Sequence, residues 1–219
     1  MFLQINVPEH ILFEDDFIIA VNKPAGLMVE PDRNGHPNLL HVVKNYLKRN
    51  LQKSEPVYVQ HLHRLDRPVS GVILFTKHRE SLRNLSEQFA QRQVQKQYQA
   101  ITESAPAMMS GTLEHWHRKE KKKAVLYETE MPYAEIARLR YNVLQTGRGY
   151  QWDIDLQTGK YHQIRAQLSY IGCPILGDML YGSQTPYRPN AIALHASKLT
   201  FRHPQTGVEV TVESPSNFH

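Results

Sequence analysis

Apolar positions along this chain recur at strand and helix spacings that divide it before any residue's chemistry is considered. Phe17-Ile18-Ile19-Ala20-Val21 is a short apolar run closed by the turn residues Lys23-Pro24-Ala25-Gly26, which reads as a buried strand. Leu39, Leu40, Val42, Val43, Tyr46 and Leu47 recur at helical spacing and predict an amphipathic helix over 38–50. A second apolar strand is expected over 72–76. Leu82, Leu85 and Phe89 then mark one face of a helix whose other side carries Arg79, Arg83 and Arg92. Segment 95–102 reads as a strand with Tyr98 near its middle, and 135–145 reads as extended. Over 150–156 the signal is clearer, because Tyr150, Trp152, Ile154 and Leu156 alternate with polar residues. Ile164, Leu168 and Ile171 form a helical stripe, with Gly172 where a C-terminal cap belongs. Strands over 191–202 and 208–213 flank the hairpin turn His203-Pro204-Gln205-Thr206-Gly207. Helices set irregularly among many strands predict an α+β fold rather than a regular βαβ alternation. Without a repeat, a low-complexity tract or a linker, residues 1–219 read as one domain.

Composition narrows the setting. Hydrophobic residues at 41% and charged residues at 21% place the chain among ordinary globular proteins. Lys plus Arg number 26 against 21 acids, and the sequence pI of 9.2 permits a polyanionic partner without demanding one. Cys173 stands alone, which excludes an intramolecular disulfide and suits a reducing compartment. The first ten residues lack the basic leader and apolar run of a signal peptide, and no apolar stretch approaches the length of a membrane span. A cytoplasmic protein with no membrane attachment is the expectation.

The chemistry concentrates in His63-Arg64-Leu65-Asp66-Arg67-Pro68-Val69-Ser70-Gly71, which runs into the apolar Val72-Ile73-Leu74-Phe75. Cations on both sides favour the ionised form of Asp66, which suits nucleophilic work better than general acid work. An ordinary surface ion-pair loop has the same composition, and the residues alone leave both readings open. The run His117-Arg118-Lys119-Glu120-Lys121-Lys122-Lys123 is the strongest basic cluster. It reads equally as a loop gripping phosphates or as a solvated loop. Neither His61-x-His63 nor Cys173 lies in a metal-ligand spacing, so no metal site is expected. Ser70, packed beside His63 and Asp66 without a nucleophile elbow, does not make a hydrolase triad.

The stretch from His63 to Phe75 resembles the signature of the RluA-type pseudouridine synthases. Further segments are similar to that family's motifs in the same order: Val21–Leu27, Arg92–Ala100 with Val94, Lys96 and Tyr98, Thr158–Arg165, Pro174–Asp178 and Leu194–Leu199. Together they cover residues 13–215. The resemblance implies a single catalytic domain around a large mixed, mostly antiparallel sheet. Nothing resembling the separate N-terminal RNA-binding domain of some relatives precedes it.

The implied reaction converts a uridine in RNA to pseudouridine by detaching the base from C1′, turning it and rejoining it through C5. No metal, nucleotide or redox cofactor is implied. The resemblance maps the catalytic acid onto Asp66, which would attack C1′ or C6 or assist loss of the C2′ proton. It maps an active-site tyrosine onto Tyr98, to stack on uracil or reach the C5 proton, against the commoner fate of a core tyrosine. It maps a pocket arginine onto Arg165, off the apolar stripe and bidentate to Asp66, where an exposed helix arginine is the plain alternative. Arg64 is expected to fill the space of a flipped base. An ion pair with Asp66 is its alternative role. Lys23 and Lys160 are candidate phosphate contacts, with solvated lysines as the default. Arg118, Lys121 and Lys122 are the RNA contacts expected from the basic run.

The chain also departs from the family pattern. Lys160-Tyr161 stand where arginine and threonine are usual, Ala166-Gln167 replace an apolar residue and histidine, and Val69 stands where threonine is common. These positions are expected at the pocket edge, where they bear on substrate more than on chemistry. The leading expectation is a monomeric synthase acting on structured RNA, either a tRNA stem-loop or rRNA. An RNA-binding protein that keeps the fold without turnover is the alternative, and a metal-dependent hydrolase of RNA or nucleotides is a third.

Overall fold

The computed structural model describes residues 5–31, 35–52 and 57–218. Its strands are β1 (Ile11–Glu14), β2 (Ile18–Lys23), β3 (Gln60–His61), β4 (Ser70–Thr76), β5 (Gln95–Thr102) and β6 (Ser110–Glu120). They continue with β7 (Lys123–Tyr127), β8 (Glu135–Thr146), β9 (Gly149–Leu156), β10 (Leu194–Arg202) and β11 (Glu209–Glu213). The helices are α1 (Leu39–Asn50), α2 (Arg79–Ala90) and α3 (Gln163–Tyr170). The fold is α+β, as the mixed pattern of elements implies, and the β1–β2, β2–β4, β10–β11, β5–β9, β8–β9, β6–β8 and β6–β7 ladders are antiparallel. None of the described helices is long and apolar enough to cross a membrane.

The chain divides into two compact units, Met1–Val94 with Ser197–Pro215, and Gln95–Ala196 with Ser216–His219. In the first, the strand order is β1-β2-β4-β10, with β3 added to β4 and β11 to β10. Its core joins Ile18 and Ala20 of β2, Val72 and Leu74 of β4, Leu85 of α2, Leu199 and Phe201 of β10, and Val212 of β11. Gln88 locks α2 onto β10, its amide donating to Arg202 O at 2.8 Å and accepting from Arg202 N–H at 2.9 Å. Asn38 caps α1 by accepting the His41 N–H at 2.9 Å, the local bond that starts a helix after an extended residue.

The second unit is a sheet in the order β5-β9-β8-β6-β7. Trp152 is fully buried in it and still finds a partner, donating its indole N–H to Thr102 Oγ1 at 2.8 Å. Helix α3 is buried from Gln163 through Leu168, so it is wrapped on nearly every face. The stripe of Ile164 and Leu168 understates that burial.

The basic run is a different element from the one expected. Instead of a loop, β6 continues through Glu120, Lys121-Lys122 form a two-residue turn, and β7 begins at Lys123. Lys121 takes the left-handed conformation that such a tight reversal requires, with φ of 50°.

Removing buried methyl groups from the first unit's core should weaken folding with little effect on surface chemistry. Leu85→Ala is expected to lower stability by about 2–5 kcal/mol in urea denaturation, whereas Arg83→Ala on the exposed side of α2 should stay within about 0.5 kcal/mol of wild type. Equal midpoints for the two variants would contradict the burial assigned to Leu85.

Candidate active site

Strands β2 and β4 run antiparallel with Lys23 opposite Gly71, so the Val21–Leu27 and His63–Gly71 segments end side by side. The Val69 N–H donates to Asp66 O at 3.0 Å and closes a turn over Arg67-Pro68. Leu65 and Val69 anchor that turn in the interior, and Asp66 is half-buried between them. The Gly26 N–H donates to Arg67 O at 2.7 Å, and Arg67 Nε donates back to Gly26 O at 3.0 Å. Gly26 has φ of 86°, a conformation that a residue with a side chain rarely adopts.

Lys23 overturns both readings made of it. It is 0% exposed, neither solvated nor available to a phosphate. Its ammonium donates to Leu27 O at 2.7 Å, Pro24 O at 3.0 Å and Arg67 O at 3.3 Å, tying the two segments together. Burial pulls its pKa down to about 7; the Asp66 carboxylate opposes that fall and the Arg67 charge adds to it. Hydropathy gives no hint of a buried lysine, but the Lys-Pro-Ala-Gly turn that ends β2 was the available signal.

The flanking arginines have partners other than the acid they enclose in sequence. Arg64 is 61% exposed and pairs with Glu30 at 2.6 Å, so its alternative role as an ion pair with Asp66 is not the one observed. Glu30 also meets His61 at 3.3 Å. His63 is architectural: its Nε2 accepts the Leu74 N–H at 3.1 Å and its ring stacks on Phe89.

In the second unit, Tyr98 lies in β5 opposite Ile154, with its side chain largely buried. Arg165 is 5% exposed rather than surface-facing. Its guanidinium makes a two-pronged pair with Asp178, Nε to Oδ2 at 2.6 Å and Nη2 to Oδ1 at 2.9 Å. It also lies over the Tyr181 ring at 5.0 Å. Asp178, its partner in this bidentate contact, lies inside the Pro174–Asp178 motif, where its part went unassigned. Gln163 fixes the start of α3: its Oε1 accepts from Thr158 Oγ1 at 2.7 Å and from Lys160 N–H at 3.0 Å. Gln167 and Ala166 are buried, so this departure from the family pattern belongs to the scaffold and not to a pocket edge.

The remaining basic candidates divide by partner. Lys160 pairs with Glu135 at 2.5 Å, and the Arg118 guanidinium is held by Glu120 and Tyr127. Lys121 and Lys122 are exposed at the hairpin turn.

Residues 17–170 match the family model described as RNA pseudouridylate synthase. This chain belongs to that family. The dual-specificity RNA pseudouridine synthase RluA of Salmonella typhi is 34% identical over 221 residues, covering 95% of this chain and 93% of that protein. Its counterpart from Escherichia coli (strain K12) is 33% identical over 216 residues, with the same shares covered. Among solved structures, human RNA pseudouridylate synthase domain containing 4 matches with a TM-score of 0.77 at 25% identity, over 95% of this chain and 89% of that one. The domain containing 1 protein matches at 0.74 and 19% identity, which speaks for the fold alone. The enzyme is therefore an RNA uridine isomerase, and the Asp66 loop lies within the matched region.

The lysine beneath that loop has a testable signature. Its pKa falls from 10.5 unfolded to about 7 folded, so between those values the unfolded chain holds more protons than the native one. Stability must rise with pH across that window. The stability of wild type minus that of Lys23→Met is expected to increase from pH 7 to pH 10 in urea titrations; a flat difference would show a lysine of ordinary pKa.

Proposed function

We propose that this synthase isomerises uridines at specific positions in structured RNA, a tRNA stem-loop or rRNA, with Asp66 as the catalytic nucleophile. The observation that carries the assignment is the Asp66 turn itself, held from beneath by the Lys23 ammonium and from the side by Gly26. A nucleophile has to meet its target atom within a few tenths of an ångström, and such cross-bonding supplies that fixity. Attack at C1′ forms a glycosyl ester and releases uracil; attack at C6 forms an adduct of the base. Both end with a new C1′–C5 bond and loss of the C5 proton.

Tyr98 is assigned to the uracil face, with its hydroxyl serving the C5 proton. Arg165, its plane set by Asp178, is assigned to the charge of the Asp66 carboxylate. Arg64 takes the place of the flipped uridine after leaving Glu30, an exchange made easy because an exposed ion pair is worth only about 0–1 kcal/mol. Lys160, Arg118, Lys121 and Lys122 are assigned to the RNA backbone. Lys23 drops out of that set and becomes the support of the catalytic turn. The reaction as assigned needs no cofactor or metal, and one copy of the chain suffices. The single buried Cys173 suits the cytoplasm.

RNA labelled with tritium at uracil C5, taken from cells lacking this gene, tests the assignment directly. Wild-type protein is expected to release tritium in the presence of a chelator, and Asp66→Asn to lose at least about 10³-fold in rate. Tyr98→Phe should still bind the RNA and release tritium more slowly. Full activity of Asp66→Asn, or no release by wild type from tRNA or rRNA, would refute the proposal.

A further inference from the structure

One aromatic residue outside the assigned site, Tyr161, is held against a ring and a cation. Tyr161 lies where the family pattern has a threonine, so its ring is a feature of this chain. It stacks on the His162 imidazole with centroids 3.8 Å apart and planes 18° from parallel. The Lys119 ammonium sits 4.4 Å from the ring centre. Both groups press on the ring, the imidazole by stacking and the ammonium by its charge.

The ring is fixed in place. His117 Nε2 lies 2.8 Å from Tyr161 O, and Tyr161 Oη donates to Lys122 O at 3.3 Å. His162 has φ of 52°, a left-handed conformation uncommon for a residue with a side chain, and it caps α3. Behind it the imidazole meets Tyr181 edge-on at 5.7 Å, and Tyr181 in turn lies under Arg165. An unbroken series of rings and cations thus runs from buried Arg165 through Tyr181, His162 and Tyr161 to exposed Lys119.

Lys119 is the telling member. Among the described residues it makes no ion pair, and it rests on a ring with Lys121, Lys122 and Lys123 exposed nearby in the same hairpin. A cation over a half-buried surface ring such as Tyr161 is held more weakly than a stacked nucleobase. A base arriving on that face would displace the ammonium, which then remains beside the nucleotide to meet its phosphate.

We propose that Tyr161 is a stacking site for an unpaired nucleotide of the substrate RNA, with Lys119 as the phosphate partner of that nucleotide. The proposal rests on the RNA-modifying reading above and adds a recognition site to it. The test uses two fluorescent probes of equal charge, a ten-nucleotide oligouridylate and a ten-unit abasic ribose phosphate, titrated by anisotropy. Tyr161→Ala is expected to bind the oligouridylate roughly 5- to 100-fold more weakly than wild type and the abasic probe equally well, with Tyr161→Phe restoring affinity. Lys119→Ala should weaken both probes and reduce the slope of log affinity against log salt by about 0.7. Unchanged binding of both probes by Tyr161→Ala, or equal loss for both, would overturn the stacking site. Tritium release measured in parallel separates this from the enzymatic reading: stacking without release would leave the platform and remove the isomerase, and release with no probe discrimination would do the reverse.

Discussion

An ammonium group without water around it must be met by oxygens at fixed distances, and Lys23 obtains them only while two segments of chain stay in register. Leaving such a charge unmet in the interior is prohibitively unfavourable. The carbonyls of Pro24 and Leu27 come from one turn and that of Arg67 from the other, so a slip of either strand would strand the lysine. Opposite Lys23, Gly71 has φ of 120°, a backbone conformation that favours glycine. One buried side chain therefore couples the apolar β2, the glycine-containing turn and the backbone that carries Asp66. That coupling accounts for a stiff loop at the point where the proposed chemistry requires stiffness.

The second unit meets the same difficulty with a different pair. Arg165 and Asp178 are both buried, and their two-pronged contact satisfies charges that neither could hold alone. Around them Gln163 and Gln167 reach strand backbone, with Gln163 Nε2 on Arg138 O at 3.1 Å and Gln167 Nε2 on Ala137 O at 3.1 Å. Polar side chains, more than an apolar stripe, thus fasten α3 to its sheet. In both units a cation proposed or mapped for the site is caged by acceptors from its own neighbourhood, which fixes direction as well as charge.

This explains what the sequence could and could not reveal. Strands with apolar alternation were legible nearly to the residue: 95–102 coincides with β5, and 150–156 falls one residue short of β9. The helix windows at 38–50 and around Leu82–Phe89 hold α1 and much of α2 for the same reason. β6 and β7 escaped because the inward positions of β6 are His115 and His117, which hydropathy counts as surface. Their partners are supplied from far along the chain: Gln167 for His115 at 3.1 Å and Tyr161 O for His117 at 2.8 Å. Among the candidate residues, Asp66, Tyr98 and Arg165 stood out through motif resemblance. The burial of Lys23 and the role of Asp178 did not, because each depends on a contact that no local pattern encodes.

The surface follows a different rule, with consequences for which RNA is chosen. Arg64, Lys160 and Arg118 each already hold a carboxylate, from Glu30, Glu135 and Glu120. A phosphate arriving there replaces one anion by another, and an exposed pair is worth only about 0–1 kcal/mol, so the exchange is near balance. Lys119, Lys121 and Lys122 hold no carboxylate among the described residues, so a phosphate at the hairpin releases counterions without first breaking a pair. On the proposed assignment, general affinity for RNA therefore comes from the hairpin. The paired cations, if they meet RNA as proposed, would add little to it and reward only RNA whose backbone lies where each glutamate can be exchanged for a phosphate. On that proposal, the selectivity each paired cation adds is a matter of RNA shape, because each is already occupied.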